Sequence, residues 1–476
     1  MKLLNRFLIP CLAALAFGVG QQALADTSTA AASTAAHATA PASRPVSAPP
    51  TGAHPPPGDP PPPPPGGQPP GQAHAVVLKG AFEFASKHAA TLSARRFAAS
   101  GTDVSAVYAS HGAALYLRAP TITSDSQTSS EENSSFEGQN AALLATSRAR
   151  VTLDGGTIST TGNGANGAFA ADADSRITLA RVGIHTQGTS AHGVDAVKGA
   201  TLVLQDATIR TEGIRSAALA TDRGGGAILA TGGTFNTTGA RSPVLYSTGT
   251  LDVRDARMQA DAAEGAVVEG ANAVIVSNSS LRGKTHGAMI YQSFSGDALG
   301  QQGRFTMTGG TLSTDRDALF YVTNTHATIE LDHVRLTAPG GAEAVLVEAR
   351  ADRWGTAGQN GGTVQLLAHR QILQGVIRAD RLSEAQLVLQ DDSHLTGRTT
   401  RTSVTLDASS HWTLTSDAQV LALNEPAGTS PDAIPNIDSQ GHLLHYDAHN
   451  PANAWLGGKR HALPGGGALL PDGKIR

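Results

Sequence analysis

The chain has 476 residues, of which 40% are hydrophobic, 16% charged and only 4% aromatic, with 53 glycines and one cysteine. That length exceeds what one ordinary core organises, so it calls for several domains or for a repeat array that grows along an axis. A formal net charge of −4 leaves no basic footprint for nucleic acid, and the low charge fraction is not that of a charged disordered protein.

Lys2 and Arg6 form a positive n-region, Phe7 to Val19 an apolar h-region, and Ala23-Leu24-Ala25 a small-residue cleavage site. Residues 1–25 therefore read as an export signal. The apolar run is shorter than the roughly 20 residues a spanning helix needs. Cys11 lies inside it, so the mature chain is expected to carry no cysteine and no disulfide. No later segment is apolar enough to span a membrane.

Residues 26–75 are Ala, Ser, Thr, Pro and Gly, and 15 of the 25 prolines fall between Pro41 and Pro70. Such a composition buries no core, and the run Pro60 to Pro65 favours extended polyproline II. A disordered spacer is expected, with a ligand for a Pro-binding groove as the alternative.

After His74 a repeat appears. Val151-Thr152-Leu153 with Ile158 returns as Ile177-Thr178-Leu179 with Ile184, and as Leu202-Val203-Leu204 with Ile209. Further copies start at Ile228, Leu251, Val274, Phe305 and Ile329, and a poorer one at Leu115. Apolar residues stand at offsets 0 and 7, with offset 2 apolar or Ala. Such a period-2 pair is a short strand with one face buried. Offset 5 is mostly small or β-branched, as in Gly156, Ala207 and Gly233, which suits a tight bend. A third apolar patch closes each unit, for example Val194, Val244-Leu245 and Met289-Ile290. Three strands in about 25 residues make a triangular coil. No stretch has the 3.6-residue period of a helical repeat, and propeller blades need longer units.

The expected fold is all-β: a right-handed parallel β-helix of about 14 coils over residues 76–425, with coils about 4.8 Å apart. Its ends expose sheet edges that need cover. Residues 76–110 and the C-terminal segment 426–476 are the expected caps. Three insertions break the period: Ser124 to Glu137 with Glu131 and Glu132, Gln292 to Gly303 with Ser293, and Glu348 to Gly361 with Arg353 and Trp354. Loops projecting from a solenoid often carry binding.

From residue 364 the spacing lengthens to eight: Val364 with Ile372, Leu387 with Leu395, Val404 with Trp412. Here Gln374-Gly375-Val376-Ile377, Ala385 to Leu389, Ser403 to Asp407 and His411-Trp412-Thr413-Leu414-Thr415 resemble the pertactin-type passenger domain of bacterial autotransporters. Ser416 to Val420 is similar to that family's final coils. The likeness spans roughly residues 140 to 425. It implies a β-helix displayed at, or released from, the surface of a Gram-negative-type bacterium, with the periplasm as the alternative location. Residues 426–476 hold no strands for an aromatic-girdled translocator barrel, and the Arg-Gly-Asp triplet of some such adhesins is absent. The resemblance therefore implies an outer-membrane translocator or anchor supplied separately.

A catalytic β-helix needs carboxylates that converge on one face. Offset 4 reads Gly155, Arg181, Asp206, Gly232, Asp255, Asn278, Gly309 and His333, and neither it nor offset 3 is acidic. Asp206 and Asp255 are a weak pair two coils apart, with Arg254 beside them, and a solvated edge is the expected role. His185 and His192 are expected to be surface residues, not a metal pair. Gly224-Gly225-Gly226 is neither a P-loop nor a dinucleotide fingerprint. No catalytic, cofactor or metal residues are assigned. The expected function is a non-catalytic binding or adhesion module for an extracellular protein or glycan. The alternatives are a polysaccharide lyase or glycoside hydrolase, built on Asp206, Asp255 and Arg254 or the Glu131 loop, and a structural envelope rod.

Overall fold

In the computed structural model, residues 76–294, 298, 300, 302–425 and 434–475 are described. The export signal with Cys11, the proline-rich segment 26–75 and part of the Gln292 to Gly303 insertion lie outside the described residues.

The repeat is a parallel β-solenoid with three faces. Face I holds the offset 0–2 strands, such as Arg150–Asp154 and Arg176–Ala180, in exact register with one another. Face II holds the offset 7 strands, such as Thr157–Thr160 and Gly183–Thr186. Face III holds the third patch, such as Ala168–Ala171 and Val194–Val197. Face III is a 15-stranded sheet and face II a 10-stranded one. The fold thus has 15 coils, one more than the spacing suggested.

The core is a set of axial stacks. Val151, Ile177 and Leu202 pair on face I, and Ile158, Ile184 and Ile209 on face II, all almost fully buried. Each alternate residue points to solvent, which is why the period was readable. The bend between faces I and II falls at offset 4. Gly155, Arg181, Asp206, Gly232, Asp255, Asn278, Gly309 and His333 all have positive φ, between 48° and 68°. Gly, Asn and Asp tolerate that left-handed geometry best, so this column reflects backbone shape.

Residues 76–110 are not a separate cap. Gly80–Phe84, Ala89–Ser93 and Arg96–Ala99 already form one coil, paired in parallel with the next. Face II ends with Arg335–Thr337. Beyond it the chain passes from face I directly to longer face III strands, such as Ile372–Ala379 and His394–Thr400. That loss of one side explains the drift in spacing. It also corrects one expected core residue: Ile372 is 74% exposed, and Leu373 takes the inward place in the stack with Leu395, Trp412 and Ile437.

The parallel ladder of face I continues past residue 425 through Leu443–Asp447 and Ala468–Asp472. The antiparallel strand His461–Ala462 then covers the edge of Ala468–Leu469. The short helix Pro451–Leu456 packs against the same end, where Trp455 Nε1 donates to the Leu423 carbonyl at 3.1 Å. Among the described residues no helix is long and apolar enough to cross a membrane.

Candidate functional site

Over its middle coils, face III differs from the other two in being buried on both sides. All four residues of Ala168–Ala171, Val194–Val197, Ala266–Glu269 and Phe320–Thr323 are buried. Its outward column runs Leu144, Phe169, Asp195, Ala220, Tyr246, Val267, Met289, Tyr321 and Glu348. The flagged insertions gather over this column.

The first insertion folds into the helix Glu131–Glu137, capped by the Ser130 side chain, which accepts from the Asn133 amide. Glu131 meets Arg215 at 3.1 Å, Glu132 meets Arg223 at 3.2 Å, and Glu137 meets Lys198. The Arg223 guanidinium lies 3.7 Å from the Phe136 ring centre. Glu131 and Glu132 are thus fastenings of a strap, not an isolated acidic pair.

The other two insertions converge. Ser293 donates to Glu269, whose Oε2 also accepts from Tyr246 at 2.8 Å and Tyr291 at 3.0 Å. Burial first, and then the Glu269 charge, push both phenols well above their ordinary pKa, so both stay protonated donors. The Trp354 ring is 4.9 Å from Tyr291 and 5.9 Å from Phe294, which is 59% exposed. Arg353 lies 4.9 Å over Trp354, and Arg350 lies 5.1 Å over Tyr321, whose hydroxyl donates to Asp352. His286 stacks on Tyr321 at 5.0 Å and faces the buried Glu264 at 3.6 Å. Burial alone would raise the Glu264 carboxyl. The facing imidazole and the Thr285 hydroxyl outweigh it and hold the carboxyl below its usual range. The outcome is an aromatic and charged surface built from two insertions and four successive coils.

Beside it lies a second cluster that sequence reasoning missed. One ligand atom each from His192, Asp195 and Asp222 falls within 4.8 Å of the others, and all three residues are buried. His192 is therefore not the surface residue expected. It stands one coil above Asn166, whose Oδ1 accepts from the His192 amide at 2.6 Å, while His192 Nδ1 accepts from the Ala217 amide at 2.9 Å. Burial lowers the imidazole to about 4, so the ring is neutral. Burial first, and then the nearby Asp222, raise Asp195 well above the usual carboxylate range. The signal in the sequence was faint. Asn166 and His192 share a position but not a residue type, and Asp195 interrupts an apolar strand.

The remaining expected residues stay apart. His185 is half-exposed on face II and contacts Glu212 at 3.1 Å. Asp206 and Asp255 are bend residues with positive φ. Gly232 separates them in the bend column, and a Cβ there would come within 2.2 Å of Asp206 Oδ1. Arg254 pairs with Asp252 at 2.8 Å on the exposed side of face I. Gly224-Gly225-Gly226 turns the chain from face III to face I, and Gly224 and Gly225 take positive φ. Where face II ends, a cleft of about 720 Å³ opens, lined by His333, Arg335, Arg370 and Ile372 among others. No family model, curated protein or solved structure matches the chain.

Proposed function

We propose that this chain is an exported solenoid of the pertactin-like passenger type that works as a surface-associated or secreted binding module, without catalysis. The observation that carries this reading is the convergence of the Gln292 to Gly303 and Glu348 to Gly361 insertions around Tyr291, Trp354 and Glu269. Rings beside fixed charges and hydroxyls suit the faces and edges of sugars, and equally the anchor side chains of a protein partner. An extracellular glycan or protein is the ligand class. Phe294, Arg350 and the exposed segment 356–359 would make first contact.

The carboxylates gathered on face III are closed to a substrate, which argues against turnover. Asp195 has no exposure, and Glu264 and Glu269 have 4% and 1%. A glycoside hydrolase needs two carboxyl groups that a sugar reaches from both sides, about 5–9 Å apart. The leader-like residues 1–25 support export, and the resemblance over residues 140 to 425 supports surface display. The test is an array of glycans and extracellular-matrix proteins run beside a polysaccharide-degradation assay. Saturable binding without product is expected. Product formation would replace this reading with the lyase or hydrolase one.

A further inference from the structure

The cluster of His192, Asp195 and Asp222 plays no part in the binding surface above. Asp195 points outward on face III yet has no exposure, and neither carboxylate oxygen has a hydrogen-bond donor. Its register neighbours are Phe169 and Ala220, which offer no side-chain donor. Arg223, next to Asp222 in the chain, lies over Phe136 and meets Glu132 at 3.2 Å. A buried carboxylate without a partner is among the least favourable groups a fold can contain, so a positive charge belongs beside it.

The geometry supplies a place for one. Asp222 follows the strand Leu219–Thr221 one coil further on, and its Oδ1 accepts from the Arg223 amide at 2.8 Å. Ligand atoms of the cluster lie within 4.8 Å of one another. Two oxygens on a cation at about 2.3–2.6 Å span up to roughly 5 Å. His192 narrows the choice of ion. Its Nδ1 accepts from the Ala217 amide at 2.9 Å, so the neutral ring carries its proton on Nε2. A ring held this way has no lone pair left for a metal. Its other nitrogen is a donor, Nε2–H, which leaves oxygen as the ligand element.

We propose that Asp195 and Asp222 hold a hard divalent cation of the calcium, magnesium or manganese class between two coils, with His192 as a positioning residue. Such an ion joins adjacent coils beneath the helical strap. A zinc-type site is not expected, because the imidazole is committed to the ladder.

The test is a manganese titration of the purified full chain after chelator treatment, read by loss of the free-ion electron paramagnetic resonance signal. One Mn²⁺ per chain is expected, displaced by excess Ca²⁺ or Mg²⁺. Asp195→Asn and Asp222→Asn lose that binding, while Asp252→Asn, which breaks only the exposed Arg254 pair, keeps it. His192→Asn preserves an acceptor for the Ala217 amide and weakens binding about 10-fold. Circular dichroism checks that each variant keeps its β signal, and either aspartate variant alone suffices if the other fails to fold. The proposal is overturned if the wild type binds no Mn²⁺ at about 1 mM, or if Asp195→Asn leaves the stoichiometry unchanged.

Discussion

Gly162, Gly188, Gly213 and Gly239 stack at the turn leaving face II, and a Cβ on Gly213 would come within 1.8 Å of the Gly188 carbonyl oxygen. The same turns are locked by threonines: Thr160 and Thr186 donate to carbonyls five residues on, at 2.7 and 2.8 Å. Backbone approaches backbone here, so no side-chain rotation relieves a clash. Gly213→Ala should cost about 1–3 kcal/mol, measured by urea unfolding. Wild-type stability in that variant would show that the coils slide apart freely. Asp407 does a related job with charge. It accepts from the Ser409 and Ser410 amides at 3.0 and 2.8 Å, and across to the preceding coil from the Asp391 amide at 2.8 Å. Burial alone would raise its pKa, but these donors outweigh it and hold the carboxyl at about 2. The depressed value means the unfolded chain takes up the proton first as pH falls. The stabilisation is complete above the unfolded carboxylate pKa of about 3.9 and is lost as pH falls through about 2. The stability gap between wild type and Asp407→Asn should therefore be constant from pH 7 to 5 and close toward pH 2. A pH-independent gap would contradict this.

At the scale of the element, the sequence was most legible where one side of a strand faces water. Faces I and II alternate in and out, so offsets 0, 2 and 7 located the core stacks directly. Face III does not alternate, because the strap and the two insertions cover its outer side. Val267 and Met289 looked like core, yet they pack outward against Tyr321 and Trp354. Asp195 and Glu269 break the apolar run of their strands, and both lie in the polar clusters of this face. Insertion lengths were visible in the spacing, but what they fold onto depends on contacts between distant coils. Ile372 failed for a different reason: the residue in register with Leu387 and Val404 is Leu366, not Val364, so the inward place beside Leu395 and Trp412 falls to Leu373. Two variants test that assignment. Ile372→Ser should stay within about 0.5 kcal/mol of wild type, while Leu373→Ala should cost about 2–5 kcal/mol. Thermal unfolding separates the two, and equal effects would contradict the register.

The solenoid as a whole divides its labour along its faces. Faces I and II supply rigidity through aliphatic stacks, and nearest-neighbour pairing makes each coil depend on the next. Face III carries the chemistry, with charged, aromatic and hydroxyl groups held in columns by the coil spacing. Insertions at three places along that face turn a uniform repeat into a particular surface without disturbing the ladder beneath. The central claim is that this surface binds through the two converging insertions. The most direct measurement compares wild type with Trp354→Ala and Phe294→Ala on the glycan and matrix array, at concentrations spanning saturation. The account predicts that both variants keep the wild-type β signal and that Phe294→Ala loses at least roughly 30-fold in affinity, the effect of a 2 kcal/mol anchor, while Trp354→Ala, which removes the buried ring Phe294 packs on, also weakens binding. Undiminished binding by both variants would contradict it.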